Sequence, residues 1–246
     1  MKVDGAVAVV TGGAKGLGLA IATHLRTLGA TTLIFDRDKE ALDELPDALL
    51  GHAVDVIKPD AVKVAVADVV GKHGRIDILV NNAGVIYSEP FVNITSPSEI
   101  MHDYGRFRES LTLNLDSVFI MTSAVIEQMV THRVKGVIVN ISSISACGNP
   151  GQSAYSAAKA GVNALTVTWA KELGRWGIRC NAVAPGFIDI ESTQKSMSGF
   201  ALKHVEDCTP LRRLGRSNEV AQAATSLIEN DFITGVILRV DGGLRF

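Results

Sequence analysis

Residues 6–18 read "AVAVVTGGAKGLG": six apolar or β-branched positions run straight into four glycines. A strand of that composition is covered on both faces, the habit of a parallel sheet. Gly12, Gly16 and Gly18 then let the backbone turn tightly, approach a ligand and pack the next helix on the sheet. The start of that helix offers unpaired N–H groups and the positive end of a dipole, which suits a pyrophosphate.

Outward from this stretch the alternation continues along the whole chain. Strand-like runs at 31–36, 52–56, 76–84, 136–143, 178–186 and 235–243 are nearly continuously apolar. Helix-like stretches at 16–28, 39–45, 60–73, 109–130, 153–174 and 217–229 separate them. This order predicts one α/β domain over residues 1–246, a Rossmann-like doubly wound parallel sheet with helices on both faces. Residues 187–210 carry no strand pattern and are mostly polar between Pro185 and Pro210. They are expected to form a helical flap covering the substrate.

Composition narrows the function. A net charge of −2 gives no electrostatic footprint for nucleic acid or an anionic membrane. No apolar run approaches the length of a membrane span. Three cysteines, an odd number, do not make a disulfide framework, which points to a reducing cytoplasm. The six histidines have no metal-ligand spacing, so no metal site is expected.

Two acids fall where ligands meet such a sheet. Asp36 closes the second run, where a carboxylate takes the ribose hydroxyls of a bound adenosine, and Asp55-Val56 closes the third. Farther on, "GNPGQSAYSAAKAG" (148–161) opens on a turn and becomes a helix of small residues. Tyr155 and Lys159 stand four apart on it, hence on one face. A free tyrosine, with a pKa near 10, is a poor acid–base at neutral pH. A neighbouring ammonium favours the phenolate and is expected to bring that pKa toward working pH.

The spacing TGxxxGxG, followed by "NNAG" at 81–84, the Tyr-x-x-x-Lys helix and "VDGG" at 240–243, resembles the short-chain dehydrogenase/reductase family over essentially the whole chain. The resemblance implies Tyr155 as general acid–base and Lys159 as its partner and a ribose ligand. It implies Asn114 as holder of a relay water. Ser142, thirteen residues before Tyr155, is the implied serine that bonds the substrate oxygen, and strand alternation is expected to turn Ser143 away. The implied cofactor contacts are Gly12, Lys15, Gly16, Leu17, Gly18, Asp36, Arg37, Asp55, Val56, Asn82, Ala83, Gly84, Tyr155, Lys159, Pro185, Gly186 and Ile188. Where the family often has threonine, this chain has Ile190.

The implied activity interconverts a secondary alcohol and a ketone, with NAD preferred to NADP because Asp36 opposes a 2′-phosphate that Lys15 and Arg37 would accommodate. Scattered basic residues favour a compact apolar alcohol. The alternative is a 3-oxoacyl thioester, 3-hydroxyacyl-CoA or hydroxysteroid, which the long 84–114 segment with "SPSEIMHDYGRFRES" and the ending "LIENDFITGVILRVDGGLRF" also suit. A non-catalytic cofactor sensor is a remote reading, since all four active-site residues are kept. The implied assembly is a homotetramer pairing the 109–130 and 153–174 helices, with Val118, Phe119, Val167 and Trp169 turned outward.

Overall fold

The computed structural model describes residues 1–95 and 100–245. Strand β1 (Val7–Thr11) lies inside a seven-stranded sheet, paired in parallel with β2 (Thr31–Asp36) on one side and β4 (Ile78–Asn81) on the other. With β3 (Leu50–Ala53), β5 (Val137–Ile141), β6 (Arg179–Pro185) and β7 (Ile237–Val240), the order is β3-β2-β1-β4-β5-β6-β7, and every pairing is parallel. The chain therefore reverses its direction of travel beside β1. In such sheets the crevice at the strands' carboxyl ends is the ligand site.

Strand alternation builds a core on each face. Ala8, Val10, Ile34 and Val139 meet Ile21 and Leu25 of α1 (Gly16–Thr27) and Val220 and Leu227 of α9 (Ser217–Glu229). Val9, Leu33, Leu79 and Ile138 meet α3 (Pro59–His73), α5 (Ser117–Thr131) and α6 (Ser153–Leu173) through Val66, Met121, Val125 and Val162. Each such Val, Leu, Ile or Met side chain contributes roughly 1.5–3 kcal/mol on burial, enough that no covalent staple is needed. The cysteines are accordingly free thiols.

Several boundaries differ from the sequence reading. The third strand is Leu50–Ala53, not 52–56; its ladder with β2 ends at Asp36 opposite Ala53, and Asp55 and Val56 follow in a turn. As an edge strand it is largely exposed, so no two-sided apolar run marks it. The fourth and last strands are shorter than 76–84 and 235–243. The helix read at 109–130 begins earlier, as α4 (Tyr104–Leu111), capped by Asp103, and passes through a π-helical turn, Thr112–Asp116, into α5. Val118 and Trp169, expected outside, are 2% and 9% exposed in the core, while Phe119 is 54% exposed. The short α2 (Lys39–Asp43) links β2 to β3, and residues 187–210 do hold helices, α7 (Glu191–Ser196) and α8 (Gly199–Cys208). Residues 96–99 of the quoted 84–114 segment, and Phe246 of the quoted ending, lie outside the described residues.

Candidate active site

The glycine loop and the start of α1 stand at the carboxyl end of β1. A side chain on Gly18 would collide with the Gly12 carbonyl and the Asn82 amide, so the helix reaches the sheet only because that position is bare. Gly16 has φ +57, the left-handed region. Asn82 stitches the loop after β4 to the same place, its Nδ2 donating to the Thr11 and Gly12 carbonyls at 3.1 and 2.8 Å. Leu17 packs on the core beneath.

Beside this loop a cleft of about 210 Å³ is lined by Gly12, Asp36, Arg37, Asp55, Val56, Ala83 and Gly84, with Phe35, Val54, Val85 and Leu113 as its apolar walls. Sequence reasoning did not single out those four walls; their only signal was proximity to named positions. The Asp36 carboxylate is oriented by Ala14 N–H and Asp38 N–H, both at 3.1 Å. Lys15 is occupied elsewhere, paired with Asp38 at 2.7 Å. The bare helix start, the apolar slot and the fixed carboxylate fit a dinucleotide's pyrophosphate, adenine and ribose in turn. On the far side Pro185 ends β6, Gly186 N–H donates to Val240, and Ile188 is buried, bridged to Gly215.

Tyr155 and Lys159 lie on one face of α6, and both are buried. Lys159 Nζ donates to the Ile141 carbonyl at 2.8 Å and stands 5.7 Å from the Tyr155 ring centre. Burial raises the Tyr155 pKa to about 12, against a smaller lowering by its hydrogen bond to Ser143. Burial likewise depresses Lys159 to about 8. The expected lowering of the tyrosine by its lysine is thus reversed, since loss of solvent outweighs any ammonium effect at this separation.

The serine assignment also changes. Ser142 is buried, with its hydroxyl directed to the Lys159 carbonyl at 3.4 Å. It is the half-buried Ser143 whose side chain stands near enough to Tyr155 to lower its pKa. Strand β5 stops at Ile141 and Ser143 caps a 3₁₀ turn, Ile144–Cys147, so strand alternation does not extend to it. Asn114 is fully buried in the π-helical turn, and its amide is clasped by Val85: Oδ1 accepts from Val85 N–H at 3.1 Å and Nδ2 donates to Val85 O at 3.0 Å. A Cβ on Gly84 would lie 2.5 Å from Asn114 Oδ1 and 3.7 Å from Lys159 Nζ, so these three sit together.

The family model for short chain dehydrogenases matches residues 6–199. The chain is a short-chain dehydrogenase/reductase. As a member of that family it is an oxidoreductase. It is 39% identical to the 3-oxoacyl-[acyl-carrier-protein] reductase FabG of Thermotoga maritima over 99% of both chains. It is 36% identical to (3R)-3-hydroxyacyl-CoA dehydrogenase of Canis lupus familiaris over 99% of this chain and 98% of that one. Sorbitol-6-phosphate 2-dehydrogenase of Klebsiella pneumoniae is 34% identical, with 96% and 95% covered. Among solved structures, this dehydrogenase superposes on the crystal structure of gox2181 with a TM-score of 0.88 at 34% identity, covering 98% and 97%. Among its described residues no helix is long and apolar enough to cross a membrane.

Proposed function

We propose that this dehydrogenase reduces 3-oxoacyl thioesters to 3-hydroxyacyl thioesters, reversibly, with NAD(H). The observation that carries the chemistry is the buried Tyr155 phenol, with Ser143 beside it and Lys159 Nζ 5.7 Å from its ring centre. A phenol with a pKa near 12 is protonated at neutral pH and therefore acts as an acid, the role that ketone reduction requires. A bound reduced nicotinamide supplies the hydride to the carbonyl carbon. Tyr155 gives its proton to the carbonyl oxygen as that oxygen gains charge, while the Ser143 hydroxyl bonds the same oxygen. Lys159 stabilises the resulting phenolate until solvent returns the proton. Asn114 holds the Gly84–Val85 backbone where the cofactor lies, and Ile188 with Pro185 and Gly186 forms the opposite wall.

The substrate class rests on relatives aligned end to end and named for 3-oxoacyl and 3-hydroxyacyl chemistry, which favour it over the compact alcohol read from sequence. A panel of 3-oxoacyl N-acetylcysteamine thioesters, aryl ketones and steroid ketones, followed by NADH absorbance, tests it. Thioesters should have the highest kcat/KM; aryl ketones outrunning them would overturn the class.

The preference for NAD follows from Asp36. Like charges about 4 Å apart cost roughly 4 kcal/mol at an effective dielectric of 20, close to a thousandfold in affinity. Lys15 is tied to Asp38 and a solvated Arg37 returns only about 1 kcal/mol. NAD should be favoured at least about tenfold in kcat/KM, and Asp36→Ser should erase that preference. Equal use of NADP by the wild type would refute it. A homotetramer through α5 and α6, with Phe119 in the contact, completes the proposal.

A further inference from the structure

The chain between Gly84 and α4 is fastened where the chemistry lies. Val85 is clasped by Asn114 at its start. Four residues on, Glu89 N–H donates to the Gly151 carbonyl at 2.7 Å and Ser88 Oγ accepts from Gln152 Nε2 at 3.1 Å. Gly151 and Gln152 immediately precede α6, the helix of Tyr155. Residues 85–89 thus run from the cofactor cleft to the front of the catalytic helix, and Ile86, between the two fastenings, is 66% exposed.

Beyond Glu89 the chain folds back as an arm. His102 N–H donates to Phe91 O at 3.0 Å, Asn93 N–H donates to Ile100 O at 2.6 Å, and Val92 bridges Met101 in antiparallel fashion. One carboxylate gathers its base. Glu89 Oε2 accepts from the Tyr87 hydroxyl at 2.6 Å and lies 3.4 Å from Nδ1 of His102, whose side chain is 5% exposed. The Tyr87 hydroxyl accepts in turn from Arg106 Nη1 of α4 at 2.5 Å, and the guanidinium lies 5.3 Å from the Tyr87 ring centre. A group this interconnected is over-specified for an ordinary surface loop.

We propose that Glu89 is a positioning residue for substrate specificity: it holds the arm so that Ile86 and its neighbours receive the acyl chain of a substrate whose ketone is at Tyr155. The reading rests on the proposed thioester chemistry, and its occupant is the chain beyond the reacting carbon. Continuity decides this, because the segment that presents Ile86 is bonded at one end to the cofactor cleft and at the other to the Tyr155 helix. The effect is on which substrates are held, so it belongs in KM rather than kcat.

The experiment measures kcat and KM on 3-oxoacyl N-acetylcysteamine thioesters and on ethyl 3-oxo esters, each from four-carbon to eight-carbon acyl chains. Glu89→Ala should raise KM for the eight-carbon substrates about fivefold, leave the four-carbon KM and both kcat values within about twofold, and Glu89→Gln, which still accepts from Tyr87, should restore most of the loss. Ile86→Ser, outside the cluster, should give the same length-dependent change without touching the fold. KM rising equally for short and long chains, or kcat falling with KM unchanged, overturns the proposal. If Glu89→Ala does not fold, Ile86→Ser alone decides. Turnover of the esters but not the thioesters would sink the thioester reading, while the length dependence would still be read on the esters.

Discussion

Ser142 and Ser143 are separated by one peptide unit and point to different work. The family's thirteen-residue spacing selects the first, but the hydroxyl that acts on the Tyr155 pKa belongs to the second, twelve residues before it. Nothing in the letters shows that β5 ends at Ile141, and the inference from alternation depended on that end. Ser143→Ala should lower kcat about a hundredfold, as loss of one oxyanion donor does, whereas Ser142→Ala should stay within a few-fold. Steady-state kinetics on one substrate distinguishes them; equal losses would return the role to both. The Tyr-x-x-x-Lys pair was legible because helical spacing alone puts both on one face, but its electrostatics were not, since burial is a property of the whole fold. Lys159 at about 8 bears on stability. Below pH 8 the group is charged in both states and the folded one carries the full burial cost, roughly 3 kcal/mol for this depression. Between 8 and 10.5 the unfolded chain holds more protons, so stability from this group rises with pH. Tyr155 acts oppositely, removing stability as pH passes 10 toward 12. Lys159→Met, allowing for the lost bond to Ile141, should therefore raise stability at pH 7 by about 1–2 kcal/mol, roughly 3–6 °C in Tm, with activity abolished. That gain should shrink as pH rises from 8 to 10; a Tm advantage independent of pH would contradict the burial argument.

At the scale of elements, central strands and long helices declared themselves, and the edges did not. β1, β2 and β5 are apolar on both faces because each is covered on both, whereas β3 carries Gly51 and His52 in a half-open position and offers no run to read. Apolar letters that continue past a strand's end, as in Ala83-Gly84, lengthened the others. The start at Tyr104 was missed because the stretch before it is an arm whose helix signal is one residue, the Asp103 cap accepting from Arg106 N–H at 2.8 Å. α7 and α8 answer to the helical character expected of 187–210, and α8 has no buried residue, with Phe200 85% exposed. An element with so little burial opens at low free energy. Its amides should exchange at least about tenfold faster than those of α6 and slow when cofactor and substrate analogue are both bound. Hydrogen exchange equally slow in both conditions would argue against a closing flap.

For the whole molecule, the alternation of strand and helix was enough to give the parallel sheet and its ligand edge, because handed crossovers leave few other arrangements. What it could not give is which distant elements meet. The face of α1 that carries Ile21 and Leu25 is covered by Val220, Leu227 and Ile228 of α9, so the helix that opens the proposed cofactor site leans on the last helix of the described residues. During synthesis this has a temporal meaning. Once Ile188 has left the ribosome every proposed cofactor contact is out, yet the apolar side of the helix presenting the proposed pyrophosphate site stays bare until residue 229 follows. The nascent chain therefore possesses its glycine loop long before it can hold it still, and offers a sticky surface to chaperones for that interval. A released fragment of residues 1–212 should fail to bind NADH by fluorescence while the full chain binds it. A fragment that bound as tightly would mean that the loop sets itself, and that α9 is only a late cover.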